Sequence, residues 1–308
     1  MFDYKTSTAI FRDEFVPFAD ANVSIASSPV LYGLAVYTVF NVIWDEPNKR
    51  LLIFRLRDHW KRLCSSARIM GFADFAESHP YERFRAEMQE LLKRNNIQEN
   101  VLVRASIFID ELIAGTRIQG LKNSFSVYVY PMGQFYPIAG VHVCVSSWRH
   151  VEDSAIPARA KVNGLYVSNS LMKNEALLNG FDEAICLDRD GHVTEGTVAN
   201  IFIVRDGVLI TPSVSADILE GITRDTVIKL AQHLSVPVEV RSIDRSELYI
   251  ADELFFCGSS ARITPILSVD KRTVRSVGMG DITSQILESY SHVQSGALEQ
   301  FKDWITVV

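Results

Sequence analysis

Hydrophobic and polar positions along the first half of the chain predict a mixture of short strands and amphipathic helices. The runs LLIFR at 51–55, VLVRASIFI at 101–109 and SFSVYVY at 124–130 favour strands. The stretch after the first of these predicts a helix whose apolar face carries Leu56, Trp60, Leu63, Ala67 and Met70. A second helix is predicted after Pro80, with an apolar side formed by Phe84, Met88, Leu91 and Leu92.

The second half continues this mixture with more strands. VHVCVSSW at 141–148 and ELFFCG at 253–258 favour strands. Asp190-Gly191 and Asp206-Gly207 each join two apolar runs, which is typical of a hairpin turn. Further helices are predicted over about 167–179, from about 221, and from Asp281. Because strands and helices do not alternate regularly, an α+β fold is favoured over a doubly wound sheet.

A break in the pattern separates the two halves. Two prolines and a glycine interrupt the strands in the segment PMGQFYP at 131–137. A chain of 308 residues is long enough for about two domains, each with its own core. We therefore predict an N-terminal domain over 1–130, an interdomain loop over 131–138 and a C-terminal domain over 139–308.

Charge and composition exclude several classes of protein. The 31 Lys and Arg residues against 37 Asp and Glu give a net charge of −6, so we expect no nucleic-acid partner. No apolar run approaches the roughly 18 residues of a membrane span, and the N-terminus lacks the apolar stretch of a secretory signal. The four cysteines and seven histidines have none of the spacings typical of a metal site, so no metal is expected. These features favour a cytoplasmic protein with reduced thiols and no membrane partner.

Two segments of the second half carry a residue suited to covalent or charge chemistry. Lys161, in AKVNGLY, follows an alanine near a predicted strand end, and burial there would favour the neutral, nucleophilic amine. The ordinary alternative is an exposed loop lysine. Glu195, in HVTEGTVAN, is suited to holding a protonated heterocyclic nitrogen. Its alternative is a turn glutamate that faces water.

Two further segments are suited to anion binding. LEGITRD at 219–225 places a glycine and a hydroxyl residue at a helix start, where free N–H groups and the helix dipole favour a phosphate. Simple N-capping by Thr223 is the alternative. CGSSA at 257–261 ends a strand with donors for a phosphate or carboxylate, or forms only a tight turn. No single segment decides between its two interpretations.

Together and in this order, the segments resemble the class IV aminotransferases, the pyridoxal-phosphate enzymes of fold type IV. The specific run is E-G-x-x-x-N-I-F from Glu195, GITRD from Gly221 and ADELFFCGSSARITPI from Ala251, within a likeness that covers nearly the whole chain. The resemblance implies a small α/β N-terminal domain and a larger C-terminal pseudo-barrel domain that binds the cofactor. The family includes branched-chain, D-amino acid and (R)-amine transaminases, and aminodeoxychorismate lyases.

The resemblance implies a role for each matching residue. Lys161 matches the catalytic lysine, which binds pyridoxal phosphate as a Schiff base and moves the substrate proton. Glu195 matches the carboxylate that keeps the pyridine nitrogen protonated, and Tyr166 matches the tyrosine on the phenolic oxygen. The other cofactor-binding residues implied are Arg62, Ile222, Thr223 and Ser259 at the phosphate, and Leu219 on the pyridine ring.

The residues implied for the substrate are Tyr32, Tyr37, Arg104, Phe135, Ser260 and Ala261. Branched-chain members have Tyr-x-x-x-x-Phe-Glu-Gly and a basic residue two places later, whereas this chain has YGLAVYTVFN from Tyr32. Tyr32 fits the branched-chain pattern, but Thr38 and Val39 depart from it. Tyr-x-Val is nearer to D-amino acid enzymes, and Tyr-Thr-Val is nearer to some amine transaminases. Arg104 either contacts a substrate carboxylate or braces the pocket.

The activity implied is transamination by ping-pong Schiff-base chemistry between an amino acid and a 2-oxo acid such as 2-oxoglutarate. We expect an L-branched-chain amino acid as the donor. A D-amino acid or (R)-amine transaminase is the first alternative, and an aminodeoxychorismate lyase is the second. Family members are usually homodimers or larger homo-oligomers, so the same is expected of this chain.

Overall fold

The computed structural model describes residues 2–72, 74–276 and 278–308. The chain divides into two compact units, one comprising Met1–Gly133, Ala160–Gly164 and His292–Val308, the other Gln134–Arg159 and Leu165–Ser291. Helices and two separate sheets give the predicted α+β fold. None of the helices in the described ranges is long and apolar enough to cross a membrane.

The first unit is built on a seven-stranded sheet. Its strands are β1 (Thr8–Phe11), β2 (Glu14–Pro17), β3 (Ala35–Asp45), β4 (Arg50–Phe54), β5 (Val101–Ile109), β6 (Asn123–Pro131) and β16 (Ile305–Val307), in the order β16-β4-β3-β5-β6-β1-β2. Its helices are α1 (Ser28–Tyr32), α2 (Leu56–Ile69), α3 (Phe75–Ser78) and α4 (Tyr81–Arg94). The predicted strands and the two long helices are confirmed, and Pro80 is the N-cap of α4.

The core of the first unit lies on one face of this sheet. Val36, Phe40 and Val42 alternate along β3 toward the core, and Leu63, Ala67, Met88 and Leu91 pack on it from α2 and α4. Strand alternation leaves Tyr37, Val39 and Asn41 on the opposite face. The outer strand β16 comes from the far end of the chain and pairs with β4, a contact that no local pattern predicts.

The second unit is built on a nine-stranded sheet. Its strands are β7 (Val141–Arg149), β8 (Glu183–Leu187), β9 (Val193–Gly196), β10 (Asn200–Arg205), β11 (Val208–Thr211), β12 (Val238–Val240), β13 (Glu253–Gly258), β14 (Arg262–Val269) and β15 (Arg272–Thr273). The order is β12-β11-β10-β13-β14-β7-β8-β9, with β15 on β14. Its helices are α5 (Tyr166–Leu178), α6 (Ile222–His233) and α7 (Asp281–Gln294).

Both predicted Asp-Gly hairpins are present in this unit. Strands β8 and β9 pair antiparallel around Asp190-Gly191, and β10 and β11 pair antiparallel around Asp206-Gly207. Asp206 and Gly207 have φ values of 51° and 77°, the left-handed pair that a two-residue turn of this type requires. A further short turn between β9 and β10, closed by the Gly196 N–H donating to the Ala199 carbonyl at 2.8 Å, brings Glu195 and Asn200 close together.

Candidate active site

Lys161 lies in the short segment Ala160–Gly164 of the first unit and is half-buried. The next residue, Val162, forms an isolated antiparallel bridge with Val36 of β3. The Lys161 carbonyl accepts a hydrogen bond from the Tyr37 N–H at 3.0 Å. The Lys161 N–H donates to Oγ of Ser66 on α2 at 3.1 Å. Both backbone groups of the lysine are therefore fixed while its side chain remains partly accessible.

The end of this segment passes close to Gly33. Gly33 has a φ of +67°, and a Cβ built on it would lie 2.8 Å from the Cα of Gly164. Both the left-handed backbone and the close approach require glycine at this position. The fold therefore requires the glycine that follows Tyr32, whether or not Tyr32 contacts a substrate.

Arg62 lies on α2, one helical turn before Ser66. Its carbonyl accepts a hydrogen bond from the Ser66 hydroxyl at 2.8 Å, so the same helix turn holds the Arg62 backbone and Lys161. Nη2 of Arg62 donates to Oγ of Thr38 at 3.3 Å. That hydroxyl also contacts Nδ1 of His59 at 2.8 Å. Burial, followed by the charges of Arg62, Arg55 and Lys161, lowers the pKa of His59 well below its ordinary value, so the imidazole is neutral.

Thr38 therefore faces α2 rather than the face of the sheet that carries Tyr37. It is fully buried. Because its hydroxyl accepts from Arg62, its own hydrogen is available for Nδ1 of neutral His59. Arg62 therefore has the hydroxyl of Thr38, and not a charged side chain, as its hydrogen-bond partner on β3.

Tyr37, Arg104 and Lys161 come together on the other side of β3. The guanidinium carbon of Arg104 lies 3.5 Å from the centroid of the Tyr37 ring, and Nζ of Lys161 lies 4.9 Å from it. Arg104 also donates from Nη2 to Oδ1 of Asn163 at 3.1 Å. Each cation over the ring contributes about 0.5–1 kcal/mol or more. Asn163, which the sequence analysis did not select, thus links Arg104 to the lysine segment.

Tyr32 and Phe135 are the most exposed of the predicted site residues. Tyr32 ends α1, is 40% exposed, and accepts a hydrogen bond from the Gly115 N–H at 3.2 Å. Phe135 belongs to the second unit and is 50% exposed. It lines a cleft of about 190 Å³ together with Tyr166, the first residue of α5.

The floor of that cleft contains a buried polar cluster that the sequence analysis missed. Glu183 is fully buried and accepts hydrogen bonds from Oγ of Thr197 at 2.7 Å and Nζ of Lys173 at 3.1 Å. The Tyr136 hydroxyl donates to the same carboxylate. Glu183 begins β8 and is followed by four apolar residues, so the local pattern does not explain a buried charge, which its side-chain partners from other segments do explain.

Glu195 lies on β9 and is 7% exposed, so the interpretation as a glutamate facing water is wrong. Oε2 accepts a hydrogen bond from Nδ2 of Asn200 at 2.8 Å and one from the Leu219 N–H at 3.3 Å. Oε1 lies 3.5 Å from Nε2 of His150. Nδ2 of Asn200 also donates to the Leu219 carbonyl at 3.0 Å, which ties β10 to the segment before α6.

Helix α6 begins at Ile222, with Gly221 as its N-cap and no side chain capping it. Thr223 is a buried residue of the first turn and not the N-cap, so the capping interpretation is wrong. A Cβ on Gly221 would lie 1.9 Å from Oδ1 of Asn200. Glycine therefore lets the helix start approach the amide that holds Glu195, and a helix N-terminus without a capping side chain is suited to an anion.

Ser259, Ser260 and Ala261 form the turn between β13 and β14. Gly258 pairs with Arg262 across this hairpin. The Ala261 carbonyl accepts a hydrogen bond from Oγ of Thr264 at 2.6 Å. The two serines are half-buried and Ala261 is buried. A tight turn is therefore present, and it brings two hydroxyls and several backbone N–H groups together at the end of the β13–β14 hairpin.

The comparisons with known proteins agree with each other. Residues 35–269 match the sequence profile of a family described as amino-transferase class IV. A probable branched-chain-amino-acid aminotransferase of Aquifex aeolicus is 37% identical over 303 residues, 97% of this chain and 96% of the relative. The crystal structure of a branched-chain aminotransferase from Thermoproteus uzoniensis with norvaline matches with a TM-score of 0.92 and 37% identity, over 98% of this chain and 99% of that one. The branched-chain aminotransferase of Thermobaculum terrenum in its PLP form matches with a TM-score of 0.92 and 30% identity, over 99% of both chains.

Proposed function

Because the chain belongs to the class IV aminotransferases, we propose that it moves amino groups between L-branched-chain amino acids and 2-oxo acids such as 2-oxoglutarate. Transamination and the pyridoxal-phosphate cofactor are those of its family. The observation that carries the substrate proposal is the match over 97% of this chain to a relative named as a branched-chain enzyme, at 37% identity. The structure with norvaline, an unbranched aliphatic amino acid, also supports an aliphatic donor.

The residues present fit pyridoxal phosphate, which supplies an electron-withdrawing heterocycle that stabilises carbanion charge at the α-carbon of the amino acid. The buried Glu195 carboxylate has the charge needed to hold a protonated ring nitrogen. The uncapped first turn of α6, with Thr223, is suited to a phosphate. We assign the further phosphate contacts to Arg62, Ile222 and Ser259, the phenolic oxygen to Tyr166 and the ring face to Leu219.

We assign proton transfer to Nζ of Lys161. Its fixed N–H and carbonyl set where the side chain starts, and its four rotatable bonds allow the amine to reach both the cofactor carbon and the α-proton. Ser260 and Ala261 are suited to orienting the substrate carboxylate through turn donors.

One observation favours a different donor. Val39 lies on the same face of β3 as Tyr37 and directly opposite Arg104 of β5. The branched-chain pattern has a glycine at this position, so the valine reduces room beside Tyr37. A D-amino acid or an (R)-amine, which places its side chain differently about the α-carbon, is the candidate that such a change would favour.

The deciding experiment compares kcat/KM for L-leucine, D-alanine and (R)-1-phenylethylamine with one common acceptor. We expect L-leucine to be fastest, with the other donors slower by about tens-fold, since a tight apolar pocket discriminates by about 1–3 kcal/mol per methylene. Val39→Gly is the matched variant, and it should raise kcat/KM for L-leucine. If L-leucine is slower than either other donor, the branched-chain proposal fails. Pyruvate release from aminodeoxychorismate without an acceptor would instead identify a lyase.

We also propose that the protein works as a homodimer or larger homo-oligomer in the cytoplasm. Helix α5 exposes Val167, Leu171 and Leu178, which are 69%, 42% and 88% exposed and recur near one helix face. The four cysteines are free thiols, and burial raises the pKa of Cys64 to about 11, as expected of inert thiols in a reducing compartment. Light scattering after size-exclusion chromatography tests the assembly, and a monomer at working concentration would contradict it.

A further inference from the structure

His150 follows strand β7 and is buried beside Glu195. Its backbone N–H donates to the Leu187 carbonyl at 2.8 Å, which continues the pairing of β7 with β8. The side chain is 1% exposed, and Nε2 lies 3.5 Å from Oε1 of Glu195, an ion-pair distance. Neither the family motifs quoted above nor the proposed function gives this histidine a role.

The surroundings of its two ring nitrogens decide the protonation state of His150. Nδ1 lies 3.2 Å from the Val151 carbonyl oxygen. Because a carbonyl only accepts, Nδ1 carries a hydrogen. Nε2 is buried, makes no hydrogen bond within the described part of the chain, and faces a carboxylate oxygen that also only accepts. A neutral ring would turn a lone pair toward Glu195, whereas an imidazolium turns a positive N–H toward it.

The carboxylates around His150 also favour the imidazolium. Burial lowers the pKa of His150, but the carboxylates of Glu195 and Asp217 outweigh it, and the net pKa lies above the ordinary value. Arg224 on α6 is a second cation that interacts with Glu195, and its charge does not itself favour a charged His150. Among the described residues, the thiols of Cys186 and Cys257 also interact with Glu195, and both stay neutral because burial raises their pKa values.

We propose that His150 is a positioning residue for Glu195: as an imidazolium it compensates the charge of the buried carboxylate and keeps it ionised. The partners of Oε2, Asn200 and the Leu219 N–H, carry no charge, so His150 supplies the positive charge at Oε1. A buried carboxylate without such a partner takes up a proton more readily. The inference rests on the proposed function, in which Glu195 must be negative to hold the ring nitrogen of the cofactor.

The first test uses the apoprotein and requires no turnover. The Cε1–H NMR signal of His150, assigned by its loss in His150→Gln, is followed as a function of pH. We expect the midpoint of the wild type to lie above the ordinary 6.5. In Glu195→Gln we expect a midpoint below 6.5, because His150 is still buried but has lost the carboxylate beside it. A wild-type midpoint below 6.5, or one that Glu195→Gln leaves unchanged, overturns the proposal.

The second test follows the dissociation constant of pyridoxal phosphate with pH. In His150→Gln, we expect the loss of affinity on acidification to begin about 1–3 pH units higher than in the wild type. His150→Arg keeps the charge and should restore the wild-type profile. His142→Gln is the control, because His142 lies at the other end of β7, with Nδ1 2.7 Å from Oγ of Ser268.

Two results of the second test overturn the proposal. One is a wild-type profile in His150→Gln, and the other is a folded His150→Arg that behaves like the glutamine variant. If none of the proteins binds pyridoxal phosphate, the proposed function fails, and the apoprotein titration still decides whether His150 and Glu195 form the inferred pair.

Discussion

Gly221→Ala tests whether the start of α6 and the Glu195 site are coupled through Asn200. An alanine Cβ would lie 1.9 Å from Oδ1 of Asn200, well under the 3.0 Å that real Cβ contacts respect. Gly221 has a φ of −69°, so the substitution adds a clash without left-handed strain. The Asn200 amide must move by more than 1 Å, which breaks its bonds to Glu195 and to the Leu219 carbonyl.

The cost can be worked out from those two bonds. A hydrogen bond to a charged group contributes about 1.5–3 kcal/mol and one between neutral groups about 0.5–1.5 kcal/mol. Because part of the movement is relieved by local adjustment, we expect Gly221→Ala to lower the free energy of unfolding by about 2–4 kcal/mol. Replacing an N-cap glycine by alanine adds up to about 1 kcal/mol that has nothing to do with Asn200.

A double-mutant cycle separates these contributions. Urea unfolding of the apoprotein is measured for the wild type, Gly221→Ala, Asn200→Ala and the double variant, with Gly133→Ala as control because a Cβ there meets nothing within 4 Å. In the Asn200→Ala background the clash is gone, so Gly221→Ala should cost only the stability lost by replacing an N-cap glycine, up to about 1 kcal/mol. If Gly221→Ala costs the same in both backgrounds, the coupling through Asn200 is refuted.

Borohydride reduction of the holoprotein should fix the cofactor on Lys161 and abolish activity; a label on another lysine would contradict the assignment. Glu195→Gln should slow turnover by orders of magnitude and lower cofactor affinity only to a lesser extent, whereas Arg62→Ala should weaken cofactor binding by about 2–3 kcal/mol, so equal losses of affinity in both variants would refute their separate roles. Hydrogen bonding from Arg241 lowers the pKa of Glu247 to about 2, so this pair stabilises the fold above the unfolded pKa near 4.5 and loses its effect as pH falls toward 2. Arg241→Ala should therefore cost about 1 kcal/mol at neutral pH and almost nothing near pH 2 in thermal unfolding, and a pH-independent cost would contradict this.

Local patterns predicted most of the elements because each depends on neighbouring residues. The Asp206-Gly207 turn needs two left-handed residues, and its sequence supplies residues that tolerate them. Helix α4 follows from apolar spacing and from Pro80 at its start. Strand β16 could not be predicted in the same way, since three residues at the chain end gain their partners only from β4.

The predicted site residues came from motifs, but their supporting partners did not. Ser66 holds the Lys161 N–H from 95 positions away, and nothing local to either residue indicates this bond. His150 contacts Glu195 through strand pairing that only the folded sheet provides. An apolar pattern can predict burial, whereas the identity of a buried hydrogen-bond partner depends on register across the sheet.

The placement of Lys161 shows why such partners matter for chemistry. A lysine that both bonds the cofactor and transfers a proton needs a fixed backbone and a mobile amine. The isolated bridge at Val162 and the bonds to Tyr37 and Ser66 fix the backbone over a few residues without adding Lys161 to a regular strand, where packing on both sides would restrain the side chain. Ser66 also bonds the Arg62 carbonyl, so α2 sets the lysine backbone and the arginine together. Ser66→Ala would thus disturb both residues while leaving their side chains intact.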